Sequence, residues 1–110
     1  MINPAVPEAG KVSTMTVFAV EYVYAADSEA ARDEYRPAHR EWLNGFVAGG
    51  RLLASGPYAD GAGALLIFTA EDEAGLLQEL KQDPFNVQNL VSALKVTEWQ
   101  PVTGAFADYA

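Results

Sequence analysis

The stretch from Thr14 to Tyr24 constrains the fold of this chain more than any other part of the sequence. It reads TMTVFAVEYVY, which is dense in β-branched and aromatic residues and alternates only loosely. This pattern is typical of a central strand that is covered on both faces. At 110 residues the chain fits one domain with one core, so the remaining segments must supply the rest of the sheet and its cover.

A helical segment follows this strand, and Pro37 is predicted to divide it. Asp27 and Ser28 offer N-cap oxygens for a short helical turn. Because the residue before a proline is pushed out of the helical region, we expect a junction at Arg36. The main helix is then predicted from Pro37 to about Ala48, with the proline in its first position.

The main helix is predicted to pack against a sheet. Large apolar side chains recur in it at three- and four-residue steps, which makes one buried stripe. Gly49 and Gly50 are expected to end the helix with a left-handed cap. The stripe consists of Trp42, Leu43, Phe46 and Val47.

The remaining elements are predicted from the same kinds of signal. Apolar runs bounded by glycine indicate strands, and acidic residues before an apolar stripe indicate helix starts. In chain order we expect strands at Arg51–Ser55 and Ala64–Thr69, a helix opened by Glu71 and Asp72, a short helix from Pro84 to about Leu90 capped by Asp83, and a last strand within Val91–Val102.

The order strand, helix, strand, strand, helix, strand predicts a ferredoxin-like α+β fold, with a four-stranded antiparallel sheet and both helices on one face. The other face lacks cover, so we expect a homodimer that buries it. The domain is predicted over residues 14–103. Residues 1–13 are expected to form a loose extension that packs on a partner, and residues 104–110 a C-terminal tail.

The charge balance argues against several classes of partner. Fifteen acidic residues against seven basic ones give a net charge of −8, which repels nucleic acid and anionic membranes alike. The chain has no cysteine and one histidine, so we expect no metal site and no disulfide. No signal-like segment or membrane-spanning run is present in the sequence, and a cytoplasmic protein is expected.

His39 is the first candidate for acid-base chemistry, because histidine is the side chain that titrates nearest to neutral pH. We expect it in the first turn of the main helix, where the helix dipole disfavours an imidazolium ring. A neutral ring of this kind can accept a proton. The alternative is structural: His39 precedes Trp42 and Leu43 by helical steps, so the ring would pack at the edge of the stripe.

Three further residues have both a functional and a structural interpretation. The Asp83 carboxylate is expected either to orient the histidine ring or only to cap the helix that starts at Pro84. Arg36 would bind a substrate carboxylate or pair with a surface acid. Ser55, at a strand end, would bind substrate or satisfy a loop amide. Asp60, in a glycine-rich loop, is interpreted mainly as a turn former.

Four motifs together resemble the YciI-like family over roughly residues 15 to 100. The resemblance implies a ferredoxin-like dimer related to the dimeric α/β-barrel proteins, with His39 and Asp83 as the proposed catalytic pair. That family includes a dehydrochlorinase that acts on a chlorinated hydroxyquinol, and its fold is similar to that of muconolactone isomerase. The motifs are Arg36-Pro37-Ala38-His39, Gly50-Arg51-Leu52-Leu53, Ser55-Gly56-Pro57 and Asp83-Pro84-Phe85.

The leading hypothesis is a cofactor-independent lyase or isomerase that acts on a small cyclic or aromatic compound. His39 would move the proton, Asp83 would orient the ring, and Arg36 and Ser55 would bind substrate oxygens. One alternative is a non-catalytic module that binds a small molecule without transforming it. Another, cofactor-free monooxygenation, rests on likeness of fold alone.

Overall fold

The computed structural model describes residues 15–110 of the chain. The extension predicted at residues 1–13 lies outside this part. The described residues form four strands, three α-helices and one short 3₁₀ turn within the predicted tail. These are β1 (Thr16–Tyr24), α1 (Glu29–Ala48), β2 (Leu52–Pro57), β3 (Gly63–Ala70), α2 (Glu73–Leu80), α3 (Pro84–Val87), β4 (Val91–Glu98) and the 3₁₀ turn (Ala107–Tyr109).

The four strands form one antiparallel sheet in the order β2-β3-β1-β4. Strand β1 lies inside the sheet between β3 and β4, as the dense apolar stretch predicts. Helices α1 and α2 both pack on the same face, because their apolar side chains join one cluster with the strands. The predicted α+β, ferredoxin-like architecture is confirmed.

The core lies between this face of the sheet and the two longer helices. Alternate residues of β1 point into it, and each is paired with a core residue of β3. Leu76 and Leu80 of α2 are fully buried against them. The paired core residues are Phe18 with Phe68, Val20 with Leu66, and Tyr22 with Ala64.

Helix α1 is continuous from Glu29 to Ala48 and contains Pro37 in its interior. The predicted junction at Arg36 is therefore wrong, and Pro37 does not start the helix. An internal proline costs about 3 kcal/mol, but here partly buried side chains follow at helical steps on both sides of it, so packing holds the two halves together. The partly buried side chains of α1 are Ala31, Arg32, Tyr35, Arg36, His39, Trp42, Leu43 and Phe46. Val47, which the sequence places in the apolar stripe, is 56% exposed.

This continuity changes the setting of His39. The residue lies in the middle of α1 and not in its first turn, where the positive end of the helix dipole acts only over about one turn. The expectation that the dipole keeps the ring neutral is therefore wrong. The tautomer of the His39 ring is therefore set by the contacts of its own nitrogens.

The ends of α1 partly follow the prediction. The helix begins at Glu29, but the hydroxyl of Ser28 donates to the carbonyl of Ala25 at 2.6 Å and does not cap the helix. At the other end Gly50 has a φ of 73°, and the N–H of Arg51 donates to the carbonyl of Phe46 at 2.8 Å. This is the predicted left-handed cap, which favours glycine at that position.

Two observations concern membrane spans and metal ions. None of the helices in residues 15–110 has the length and apolarity that a bilayer-spanning segment needs. In the same part of the chain, no three histidine, aspartate or glutamate side chains are grouped so that they could hold a metal ion.

Candidate functional site

A cavity of about 460 Å³ opens between α1 and the helix-covered face of the sheet. His39 and Arg36 line it from α1, and Ser55 lines it from β2. Ser55 reaches this side because the pairing of β2 with β3 shifts between Leu52 and Ala54. A shift of this kind changes the alternation of side chains, so that Leu52 and Ser55 both face the cavity.

His39 and Asp83 are in direct contact. The distance between His39 Nδ1 and Asp83 Oδ1 is 2.8 Å. The side chain of Asp83 is 0% exposed and lies beneath the histidine, whose own side chain is 14% exposed at the cavity wall. The imidazole therefore separates a fully buried carboxylate from the space that a ligand would occupy.

The other contacts of Asp83 indicate which nitrogen of His39 carries the proton. Its Oδ1 accepts the backbone N–H of Phe85 at 2.9 Å, and its Oδ2 accepts the hydroxyl of Tyr22 at 2.7 Å. Because the carboxylate acts as an acceptor in both contacts, His39 Nδ1 is best assigned as a donor. The remaining nitrogen, Nε2, then has a free lone pair.

Tyr22 is suited to the donor role. Burial raises the pKa of its phenol, and the negative charge of Asp83 raises that pKa further. The hydroxyl therefore keeps its proton. The side-chain amide of Asn86 donates to the Tyr22 oxygen at 3.1 Å and to the carbonyl of Leu80 at 2.8 Å, which ties α3 and the end of α2 to this network.

The plane of the His39 ring is set by Phe85. The two rings stack with centroids 4.0 Å apart and an angle of 5° between their planes. Phe85 is itself buried, and its ring lies nearly perpendicular to that of Tyr24, with the centroids 6.2 Å apart. The carboxylate below and the stacked ring beside it restrict both the rotation and the tilt of the imidazole.

The structure shows which contacts the four predicted site residues make. Asp83 caps α3 and also contacts His39, so both of its proposed interactions occur together. Arg36 pairs with the surface residue Asp33 and also lines the cavity. Ser55 lines the cavity, and within residues 15–110 its hydroxyl has no partner. Asp60 accepts the N–H of Ala62 at 2.9 Å, as expected of a turn former.

Several residues of the site were not singled out from the sequence. A signal existed for Tyr22, because it shares the core-facing alternation of Phe18 and Val20, and a buried tyrosine needs a partner for its hydroxyl. Arg32 precedes Arg36 by one helical step, but the predicted junction hid this relation. No sequence signal predicted that Phe85 stacks on the histidine.

Comparison with known proteins supports the architecture and identifies the family. The model of the YCII-related domain matches residues 16–100. No curated protein sequence matches the chain. Among solved structures, the chain is similar to 5-chloro-2-hydroxyhydroquinone dehydrochlorinase (TftG) from Burkholderia phenoliruptrix AC1100, in complex with 2,5-dihydroxybenzoquinone.

That similarity has a TM-score of 0.68 and 24% sequence identity, and it covers 76% of this chain and 92% of the dehydrochlorinase chain. At this identity the similarity shows the fold. The family model covers most of the chain and all four strands. The chain therefore belongs to the family of proteins with a YCII-related domain.

Proposed function

We propose that the cavity binds a small cyclic or aromatic compound, and that His39 transfers a proton of this compound in a cofactor-independent reaction of the lyase or isomerase type. The observation that carries the proposal is the 2.8 Å contact between His39 and a fully buried Asp83 at the wall of a 460 Å³ cavity. A base that is oriented by a carboxylate beside a concave site is a common arrangement for general acid-base catalysis.

In the proposed reaction, His39 Nε2 accepts a proton from a carbon or hydroxyl of the bound ring. Asp83 keeps the other ring nitrogen protonated and stabilises the imidazolium that forms. If the substrate is a chlorinated hydroxyquinol, it first tautomerises to a ketone, in which the carbon that carries chlorine takes up a proton and becomes tetrahedral. When His39 then accepts a ring hydroxyl proton, the electrons of the O–H bond form a C=O double bond, a ring double bond shifts, and chloride leaves from the tetrahedral carbon to give a quinone. In an isomerisation the same imidazolium returns the proton at another atom. Arg36 and Ser55 bind substrate oxygens.

The solved dehydrochlorinase supports the choice of first substrates. Its fold is similar to this chain and it is described with 2,5-dihydroxybenzoquinone bound. Chlorinated hydroxyquinols are therefore the first compounds to test, followed by lactones and other small rings. Function within one fold varies widely, so the substrate has to be established by measurement.

The second candidate is a module that binds a small molecule without transforming it. This interpretation would be favoured by a histidine and an aspartate beyond hydrogen-bond reach. The 2.8 Å distance between them supports the catalytic candidate instead.

We also propose that the protein acts as a homodimer. The face of the sheet opposite the helices exposes apolar side chains, among them Val23 at 50% and Leu65 at 37%, which lie on neighbouring strands. A second copy would remove this surface from water. Multi-angle light scattering at micromolar concentration should give the mass of two chains, and a mass of one chain would contradict the dimer.

The catalytic proposal is tested with His39→Ala. The wild type and the variant are incubated with chlorinated hydroxyquinols, and chloride release is followed with an ion-selective electrode together with the absorbance of the ring. For a substrate that the wild type converts, we expect the variant to lose turnover by roughly 10² to 10⁴-fold. Circular dichroism and thermal melting confirm that the variant is folded.

Lys81→Gln is the control for a substitution outside the cavity, because Lys81 is exposed at the end of α2 and does not line the cavity. Its turnover should equal that of the wild type. Unchanged turnover in His39→Ala would contradict the proposal. Tight binding of these compounds with no conversion by the wild type would favour the binding module.

A further inference from the structure

Positive charge is concentrated at the cavity of an otherwise acidic protein. The chain carries seven basic residues against fifteen acidic ones. Three of the basic residues, Arg32, Arg36 and Arg40, line the cavity together with His39, and among residues 15–110 no aspartate or glutamate lines it. The arginines recur at four-residue steps and so form one row along α1.

The three arginines differ in what they contact. Arg36 is paired with Asp33 at the surface. Arg40 is exposed, and Arg36 and Arg40 also border a shallow groove that contains Asp33 and Glu41. These two guanidinium groups are therefore partly neutralised or screened by solvent. Among residues 15–110 no acidic side chain forms an ion pair with Arg32, and its side chain is held by other contacts.

Two contacts orient Arg32. Its Nε donates to the hydroxyl of Ser28 at 3.0 Å, and that hydroxyl donates in turn to the carbonyl of Ala25. The guanidinium carbon lies 4.0 Å from the centre of the Tyr24 ring, which is a favourable cation-π distance. Within residues 15–110 the two terminal nitrogens have no partner, so an oriented pair of donors is left for a ligand.

Arg51 shows what a purely structural arginine looks like in the same chain. Both of its terminal nitrogens bind the carboxylate of Glu79, at 2.8 and 2.7 Å, and its Nε donates to the carbonyl of Thr69. It lies outside the cavity. Arg32 has a comparable support through its Nε and its guanidinium face, but the place of the carboxylate is not taken by any described residue.

Tyr24 adds a donor beside this guanidinium. Within the described residues its hydroxyl makes no hydrogen bond, and the residue lines the cavity. Burial raises the pKa of this phenol more than the nearby charges of Arg32 and Arg36 lower it, so the hydroxyl remains a donor. Its ring also packs nearly perpendicular to that of Phe85, which stacks on His39. The donors and the proposed base are thus linked by packed rings.

We infer that the cavity selects ring compounds that carry a negative charge, and that Arg32 and Tyr24 form the site that binds this charge. The inference rests on the proposed function, since it concerns the substrate class of the same cavity. A carboxylate or an ionised ring oxygen would take two hydrogen bonds from the Arg32 fork and one from the Tyr24 hydroxyl. The ring would then extend from this anchor toward His39 Nε2.

The test compares two probes that differ in charge and little else, 3,4-dihydroxybenzoate and 3,4-dihydroxybenzamide. Affinities are measured by isothermal titration calorimetry at neutral pH, so the readout does not depend on turnover. We expect the wild type to bind the acid roughly 10-fold to 100-fold more tightly than the amide, as a charge-assisted site should. Arg32→Gln should reduce this preference to about threefold or less.

Two further variants are measured with the same two probes. Tyr24→Phe keeps the ring contacts and removes only the hydroxyl, so the preference for the acid should fall by a factor of about three to ten. It also provides a second test if Arg32→Gln does not fold. Lys81→Gln changes the net charge by the same amount as Arg32→Gln but lies outside the cavity, and its preference should match the wild type.

The outcomes separate this inference from the proposed function. Equal affinities for the two probes in the wild type would overturn the selection of anions and leave the acid-base proposal intact. A preference that survives in both Arg32→Gln and Tyr24→Phe would overturn the assigned residues. Failure of both probes to bind at millimolar concentration would count against this inference and against a cavity for ring compounds.

Discussion

Two aspartates in this protein each cap a helix by accepting a backbone N–H, but they differ in burial and in their other contacts. Asp72 precedes α2 and accepts the N–H of Gly75 at 2.7 Å, and Asp83 precedes α3 and accepts the N–H of Phe85 at 2.9 Å. Asp72 is exposed, and within residues 15–110 its side chain makes no other hydrogen bond or ion pair. Asp83 is fully buried and also binds a histidine and a tyrosine.

A sequence pattern that predicts an N-cap therefore does not predict the contacts that the same residue makes with distant parts of the chain. The partners that distinguish Asp83 lie far away along the chain, with His39 44 residues and Tyr22 61 residues before it. They reach Asp83 because α1 and β1 pack beside α3 in the folded state. The site is therefore a property of the tertiary structure, built on a cap that would exist without it.

The largest expected difference between the two caps is in stability. Asp83→Ala leaves the N–H of Phe85, the ring N–H of His39 and the hydroxyl of Tyr22 without their acceptor, and each buried donor costs about 1 to 3 kcal/mol when it is unsatisfied. We expect a loss of roughly 3 kcal/mol or more in the free energy of unfolding. Asp72→Ala should lose only about 1 kcal/mol.

Urea unfolding followed by tryptophan fluorescence measures both variants under the same conditions. The Asp72 variant serves as the control for the loss of a cap, so the excess cost of the Asp83 variant reports the network beneath His39. Equal losses in the two variants would contradict the account of Asp83 as the centre of that network.

A smaller effect is expected when Tyr22 is changed, whose hydroxyl donates to Asp83 and accepts from Asn86. Tyr22→Phe removes these two hydrogen bonds and should cost about 2 kcal/mol at neutral pH. It should also change the response to alkali. Because burial and the charge of Asp83 raise the pKa of Tyr22 in the folded protein, the unfolded chain loses this proton near pH 10, while the folded protein retains it.

The folded protein is destabilised at high pH, because the pKa of Tyr22 is higher in the folded protein than in the unfolded chain. The stabilising contribution is complete below about pH 10 and is lost as the pH rises above it, by up to about 1.4 kcal/mol for each pH unit. Unfolding by urea between about pH 9 and 11 should therefore show a shallower decline in Tyr22→Phe than in the wild type. Tyr109→Phe, at an exposed position, should follow the wild type, and an unchanged slope in Tyr22→Phe would show that Tyr22 is not held in its neutral form.

The sequence predicts most of the fold because its elements rest on local periodicity. The alternation in Thr14–Tyr24 and the glycines after Ala48 place β1 and the end of α1 within two residues of where they lie. The prediction fails at Pro37. A residue before a proline generally disfavours the helical conformation, but α1 continues through Arg36 and Pro37 because its side chains pack on both sides of the proline. The partly buried side chains in the first half of α1 include Arg32, Tyr35 and Arg36, which do not count as apolar in a periodicity argument.

The candidate site is less predictable than the fold. The resemblance to a known family indicates His39 and Asp83, but spacing alone gives no reason for them to meet across 44 residues. The side chains that hold His39 in place are even harder to predict from the sequence. Phe85 is an ordinary apolar residue in the sequence, and only the folded chain shows that it stacks on the histidine.

The central claim is that Asp83 holds the proton of His39 on Nδ1 and leaves Nε2 free to act as a base. Since His39 is the only histidine in the chain, long-range ¹H–¹⁵N correlation NMR of the uniformly labelled protein shows one imidazole and requires no assignment between residues. At about pH 8, where a histidine ring is ordinarily neutral, the spectrum should show a protonated Nδ1 and an unprotonated Nε2. A proton on Nε2, or a rapid average of the two tautomers, would contradict the account.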